Sequence, residues 1–188
     1  MSEKKRCCWA ENVDDIYVRY HDEEWGRPVY DDHKLFEMLV LESFQAGLSW
    51  ITILKKRENF RRAFDNFDVD MIMHYDEAKV ASLMQDKGII RNQLKIRAAI
   101  SNAKIFRSLQ EEYGSFHEYL WQYTNHQIII RQGEDMPIHT ALSDQIAADL
   151  KARGMKFFGT VIVYSYLQAV GVVNDHEPKC FLSPQREV

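Results

Sequence analysis

The sequence predicts an all-α fold, and three observations carry that expectation. Apolar residues recur at helical spacing along most of the chain, strict apolar–polar alternation is nearly absent, and glycines fall where the helical runs end. The 188 residues contain no repeat, low-complexity tract or linker. Residues 1–188 therefore read as one unit, long enough for one sizeable core or for two small lobes sharing a cleft.

The first helix is expected over Asp14 to Tyr20. The second, Asp32 to Phe44, places Leu35, Met38, Leu39 and Glu42 on one face, so a stripe bound for the core ends in a carboxylate. Gln45-Ala46-Gly47 supplies a stop, and a third helix over Ser49 to Phe64 carries Trp50 close to that acid. Helices over Asp76 to Gln85 and Asn92 to Tyr113 follow, the longer one bearing the stripe Ile96, Ala99, Ile100 and Ala103 and stopping at Gly114. Ser115 to Tyr123 continues the helical pattern. Leu142, Ile146 and Leu150 mark a helix over Ser143 to Arg153, and another spans Thr160 to Val170, capped by Thr160 or its neighbour. Gly88, Gly154 and Gly171 stand as further stops. Ile128-Ile129-Ile130 alone suggests a strand, within an irregular stretch at about 125–140.

The net charge of −4 excludes a surface coated in positive charge, and composition alone does not place nucleic acid first among partners. Basic clusters nevertheless stand out at Lys55-Lys56-Arg57 with Arg61-Arg62, at Arg91, Lys95 and Arg97, and at Lys151, Arg153 and Lys156. Taken alone, each reads as a solvated helix face. No apolar run approaches a bilayer span, and Met1-Ser2-Glu3-Lys4-Lys5-Arg6 leads into Cys7-Cys8-Trp9 rather than an apolar signal core. A soluble, cytoplasmic protein is expected.

Three constellations carry chemistry. A carboxylate ending an apolar stripe needs a partner or a pocket. Glu42 beside Trp50 offers an acceptor and a stacking surface, whereas the plainer reading pairs Glu42 with a buried Arg and leaves Trp50 in the core. Second, Gly154-Met155-Lys156-Phe157-Phe158-Gly159 joins two helices by a short turn, and the backbone N–H groups opening the second helix suit an anion such as a DNA phosphate. An ordinary αα-hairpin anchored by Phe157 and Phe158 fits the same residues. A nucleotide-binding glycine loop does not, because no Lys follows Gly159 and no strand precedes Gly154. Third, the three cysteines form no disulfide framework, but Cys7 and His21 near one end with His176 and Cys180 near the other suit a closed tetrahedral zinc site. Such a site leaves no position for water and would be structural, and unrelated surface residues are the alternative. His33, His74, His117, His126 and His139 show no ligand spacing.

The chain resembles the 3-methyladenine-DNA glycosylase I family of bacteria. The residues that carry the resemblance are Arg6-Cys7-Cys8-Trp9, Tyr20-His21-Asp22-Glu23-Glu24-Trp25-Gly26, Leu41-Glu42, the run Gln45 to Glu58, Gly88-Ile89-Ile90-Arg91-Asn92, Lys156-Phe157-Phe158-Gly159-Thr160 and Val173-Asn174-Asp175-His176. They run in family order along nearly the whole chain, which makes the set far more specific than any single motif.

The resemblance implies a helix-hairpin-helix fold with the hairpin at about 143–170, gripping DNA backbone through Gly154, Lys156, Gly159 and Thr160. It implies a structural Zn2+ on Cys7, His21, His176 and Cys180 that ties the chain ends together. Cys7 rather than Cys8 keeps the family's two-residue separation from Trp9. It further implies an extruded base held by Glu42 and stacked on Trp50 within a wall of Trp9, Tyr17, Tyr20 and Trp25, with Gly47 and Leu48 filling the gap in the DNA. Ser43-Phe44 and Gln93 depart from the family's forms, and Phe44 is expected to alter the DNA-facing side of the pocket. No Asp here matches the one with which the superfamily supports the developing sugar cation.

The implied activity is hydrolysis of the N-glycosidic bond of 3-methyladenine in alkylated double-stranded DNA by a monomeric enzyme, after base flipping. Methylation at N3 leaves adenine formally cationic and easily expelled, so access to the base is a harder problem than acid catalysis. A non-catalytic helix-hairpin-helix DNA-binding module is the rival, and the acidic, aromatic constellation argues against it because a backbone binder needs no such pocket. A sister enzyme acting on other alkylated bases, or on a free nucleoside, is the second rival.

Overall fold

In the computed structural model, which describes residues 4–130 and 136–184, nine α-helices are found among the described residues. They are α1 (Asp15–Glu23), α2 (Asp32–Gln45), α3 (Trp50–Ala63), α4 (Val69–Ile72), α5 (Glu77–Gln85), α6 (Gln93–Tyr113), α7 (Phe116–Trp121), α8 (Ala141–Ala152) and α9 (Thr160–Ala169). Three short 3₁₀ turns, at Cys8–Ala10, Asp65–Phe67 and Gln122–Thr124, complete the helical content. The starts are written locally: side chains of Asp14, Asp31, Asp76, Asn92, Ser115 and Thr140 each accept a hydrogen bond from first-turn backbone N–H groups. The ends at Gly114 and Gly154 also stand where expected, both at positive φ.

Two expectations, the stop at Gly88 and the absence of strands, need correction. Gly88 stops nothing, since α5 ends at Gln85 and Gly88 does not adopt a positive φ. Of the two cap candidates for α9, Thr160 and its neighbour, Gly159 occupies the position, and the Thr160 hydroxyl donates to Asp144. The all-α reading omits two short strands, β1 (Ile129–Ile130) and β2 (Val173–Asn174), which pair in parallel with Ile129 opposite Val173. That pairing joins segments far apart in sequence, so only one of its partners had a local signature. Residues 131–135 of the irregular stretch lie outside the described set.

Every residue of α2 from Leu35 to Phe44 is buried, Glu37 and Glu42 included. A helix covered on all faces is a core helix, and α3, α6, α7 and α9 pack around it. The Phe36 ring lies 4.9 Å from Phe106, which stacks on Phe116 at 4.1 Å. The hairpin α8–α9 packs on itself and, through α9, on α2. The basic clusters are largely consumed within the protein: Lys55 pairs with Asp14, Arg57 with Glu24 and Glu37, Arg97 with Glu77, and Arg153 with Glu112 and Asp149. Among the described residues no helix is long and apolar enough to cross a membrane.

Candidate functional site

The two acids of α2 define the site by contrast. Glu37 accepts from Arg57 Nε at 2.8 Å and from Arg61 Nε at 2.8 Å, and Lys34 Nζ stands 3.3 Å away. Although burial opposes ionisation, these cations hold its carboxyl down at about 2. Arg57, the buried Arg among the described residues, pairs with Glu37 and Glu24, and Glu42 forms no ion pair with any described residue, so the plainer reading of Glu42 fails. Glu42, 3% exposed, has no basic partner among the described residues, its Oε2 has no hydrogen bond from them, and burial pushes it up to about 8.

Glu42 lines a cavity of about 270 Å³ together with Trp9, Tyr17, Tyr20, Trp25 and Trp50. All six residues expected around a base are thus brought together. The rings interlock: Tyr20 lies 5.5 Å from Trp50, and Trp9 sits 5.1 Å from Tyr17 and 5.0 Å from Trp25. Trp50 reaches the cavity because α2 breaks at Ala46, with Gly47 at φ 79°, and α3 starts at Trp50 itself. Sequence reasoning missed Gln45, Met136, Ser165 and Gln168, which complete the lining. The spacing of Glu42 and Gln45 by three helical positions could have suggested the first; the others come from distant segments. Two acceptors, Glu42 Oε2 and Gln45 Oε1, and one donor, Trp50 Nε1, are buried without partners among the described residues. Buried polar atoms without partners are uncommon, and their convergence on one cavity marks a place for a polar, flat ligand. Glu42 is the sole carboxylate among the lining residues. Phe44 does not face the cavity: it is fully buried behind it, 4.8 Å from Phe60 and 5.7 Å from Phe64.

Behind the aromatic wall lies a cluster of side chains that could hold a metal ion. Ligand atoms of Cys7, His21 and Cys180 all fall within 4.8 Å of one another, and all three residues are buried, whereas Cys8 is exposed. His21 Nδ1 is held 2.8 Å from Asp22 Oδ1, which turns Nε2 toward Cys180 Sγ at 3.5 Å. His176 stands beside this trio rather than within it, its ring 5.2 Å from that of His21. Its Nδ1 lies 2.9 Å from Asn174 Oδ1, while Nε2 is buried with no protein partner. Gly26 is required here, since a Cβ would come within 2.7 Å of His176 Cε1. Backbone N–H groups of Glu177 and Leu182 point at the Cys7 and Cys180 sulfurs at 3.4 and 3.5 Å. The two sulfurs and His21 Nε2 are thus buried and close enough to bind one metal ion together, whereas the expected fourth donor, His176, falls outside that trio.

Two exposed segments flank the cavity's chain neighbours. Gly47 and Leu48 form the tip between α2 and α3, with Leu48 38% exposed. The turn between α8 and α9 presents Gly154, Lys156 and Gly159 to solvent; Phe158 is buried as an anchor but Phe157 is not. Gly159 puts no side chain over the first N–H groups of α9.

The chain is similar to known proteins. The methyladenine glycosylase family matches residues 9–183. DNA-3-methyladenine glycosylase 1 of Escherichia coli (strain K12) is 45% identical over 183 residues, which is 96% of this chain and 97% of the relative. A crystal structure of 3-methyladenine DNA glycosylase I superposes with a TM-score of 0.91 at 47% identity, covering 96% of this chain and 100% of that one. The Staphylococcus aureus 3-methyladenine DNA glycosylase I, solved to explain its recognition of 3-methyladenine, superposes with a TM-score of 0.88 at 34% identity and covers 97% of each chain. With the pocket, its unpaired acid and this likeness along nearly its whole length, the chain belongs to the methyladenine glycosylase family, a family of DNA-glycosylase enzymes.

Proposed function

We propose that the protein excises 3-methyladenine from alkylated double-stranded DNA, hydrolysing the N-glycosidic bond of a flipped nucleotide to release free base and leave an abasic site. The observation that carries the reading is Glu42, a buried carboxylate that no cation among the described residues neutralises, at the edge of an aromatic slot. A neutral base gains little there, but a cationic base supplies the missing charge. Its arrival draws the Glu42 pKa below about 8, and the resulting carboxylate accepts hydrogen bonds from the base edge and favours the positive form. Stacking on Trp50 contributes roughly 1–3 kcal/mol plus cation–π attraction, enough to offset much of the cost of unstacking the base. Unmodified adenine lacks the charge, so it neither binds well nor leaves.

The supporting parts follow the same logic. The α8–α9 turn grips DNA backbone as a helix-hairpin-helix, with Lys156 and the first N–H groups of α9 on phosphate and the Gly154 and Gly159 backbone lying close to it. The Thr160 side chain stays engaged with Asp144, so its contribution is its backbone N–H. Gly47 and Leu48 enter the gap left by the flipped nucleotide. Cys7, His21, His176 and Cys180 hold a structural Zn2+ that fixes both chain ends behind the pocket wall, where Trp9 and Trp25 each touch a ligand histidine. The enzyme acts as a monomer in the cytoplasm. A non-catalytic module accounts for the hairpin but leaves the buried Glu42 without a use.

Release of free base is to be measured from methylated duplex DNA, unmodified duplex DNA and the free methylated nucleoside. Liberation of 3-methyladenine from the first alone is expected. Binding to DNA without release, or release from the nucleoside at an equal rate, would overturn the reading.

A further inference from the structure

Lys95 is a buried lysine on α6 that meets no acid: its side chain enters no salt bridge with any described residue, and it is only 6% exposed. Its Nζ instead donates to the carbonyl oxygens of Phe44 at 2.7 Å and Ala46 at 2.6 Å, the last carbonyls of α2 and of the break that follows. The same ammonium lies 6.0 Å from the centroid of the Phe157 ring, at the exposed turn between α8 and α9. Phe157 adopts φ 55°, a left-handed conformation that a bulky residue takes only when its surroundings hold it. Two helical turns further along the same face of α6, Asn102 is fully buried and pairs twice with the Lys156 backbone, Nδ2 to O and Oδ1 from N, both at 2.9 Å. One face of α6 thus reaches both of the exposed segments proposed to contact DNA.

We propose that Lys95 is a positioning residue that locks the Gly47–Leu48 tip at a fixed offset from the α8–α9 turn, so that the residue entering the DNA gap and the phosphate grip engage one duplex together. The proposal rests on the DNA-glycosylase reading, since it gives a reason for fixing these two segments relative to each other. An ammonium suits this position because it has three donors and no acceptor. It satisfies carbonyls that the end of α2 leaves without N–H partners, and its charge favours the negative end of that helix. Burial lowers its pKa from the usual lysine value, which marks how far it is withdrawn from solvent and from any phosphate. Gln45 supports the tip from the other side, Nε2 donating to the Leu48 carbonyl at 3.2 Å.

The test is Lys95→Met, which keeps the length and apolar stem and removes the donors. Binding to a duplex carrying an abasic-site analogue should weaken about tenfold, while affinity for free 3-methyladenine, read by tryptophan fluorescence, should change less than about twofold. The salt dependence of DNA binding should keep the wild-type slope, because Lys95 faces carbonyls and not phosphate. Amide exchange at Gly47, Leu48 and Ser49 should accelerate while exchange in the interior of α6 stays unchanged. Wild-type DNA affinity in the variant would overturn the proposal, as would a slope reduced by about one unit, which would make Lys95 a phosphate contact. Equal losses of free-base and DNA affinity would also overturn it, by showing a role in the pocket itself. Should Lys95→Met fail to fold, Lys95→Gln retains a donor for one carbonyl and should show a smaller DNA-specific loss; wild-type DNA affinity there would be equally fatal. If wild-type protein releases no base, the glycosylase reading fails, and amide exchange at the tip still reports whether Lys95 holds it.

Discussion

Glu37 and Glu42 both leave α2 buried, 2% and 3% exposed, yet Glu37 receives Arg57, Arg61 and Lys34 while Glu42 receives no cation from any described residue. Burial depth is the same, so it is the partners that separate a structural acid from one reserved for a ligand. The separation has opposite signatures in pH. Glu37, held at about 2 against an ordinary 4.5, stays ionised in the fold where the unfolded chain is protonated. Its contribution, of order 3 kcal/mol, is complete above the ordinary value and disappears as pH falls toward about 2. Glu42, raised from 4.5 to about 8, resists ionising where the unfolded chain does so freely. It therefore lowers stability progressively between those two pH values, by a few kcal/mol at the upper end.

The strongest way to sharpen this contrast is the buried cluster of Cys7, His21 and Cys180, to which the proposed function assigns a structural metal instead of a substrate. Freshly purified protein should contain about one equivalent of zinc, and Cys7→Ser should lose it together with several kcal/mol of stability, while Cys8→Ser keeps both. Elemental analysis finding no zinc, or loss only in the Cys8 variant, removes the assignment. Next in size is Glu42→Gln, expected to slow single-turnover excision roughly a thousandfold. Its zinc content should be normal and its melting temperature at pH 8 equal to or above that of the wild type, since an uncompensated acid is gone. A lowered melting point with excision intact per folded molecule would return Glu42 to a structural role. Glu37→Gln should do the reverse, costing about 3 kcal/mol by removing the buried charge that Arg57 and Arg61 share while excision per folded molecule remains near wild type; a catalytic defect there would erase the distinction between the two acids. The smallest effect is expected at the hairpin, where Lys156→Ala should weaken DNA binding uniformly and reduce its salt slope by about one unit. Binding indifferent to salt would count against the hairpin as the grip.

Much of this was legible in the chain itself, for a physical reason that differs from element to element. Helix starts at Asp31, Asp76, Asn92 and Ser115 are set by side chains within four residues of the N–H groups they satisfy, and Gly47, Gly114 and Gly154 adopt the positive φ that ends a helix locally. Glu42 was conspicuous because helical periodicity alone carries it to the buried face, and the ordered motifs from Arg6 to His176 placed Trp9, Tyr17, Tyr20, Trp25 and Trp50 around it. What periodicity could not say is which buried acid would find a cation, since Arg57 reaches Glu37 from α3 and Lys34 from a neighbouring turn. Nor could it bring Met136, Ser165 and Gln168 to the cavity, pair Ile129 with Val173, or withdraw Lys95 from a basic cluster to hold the end of α2. Local geometry is dictated by neighbours in sequence; partnership between distant charges, carbonyls and strands is decided only when the core closes and each buried polar atom takes whatever lies within reach.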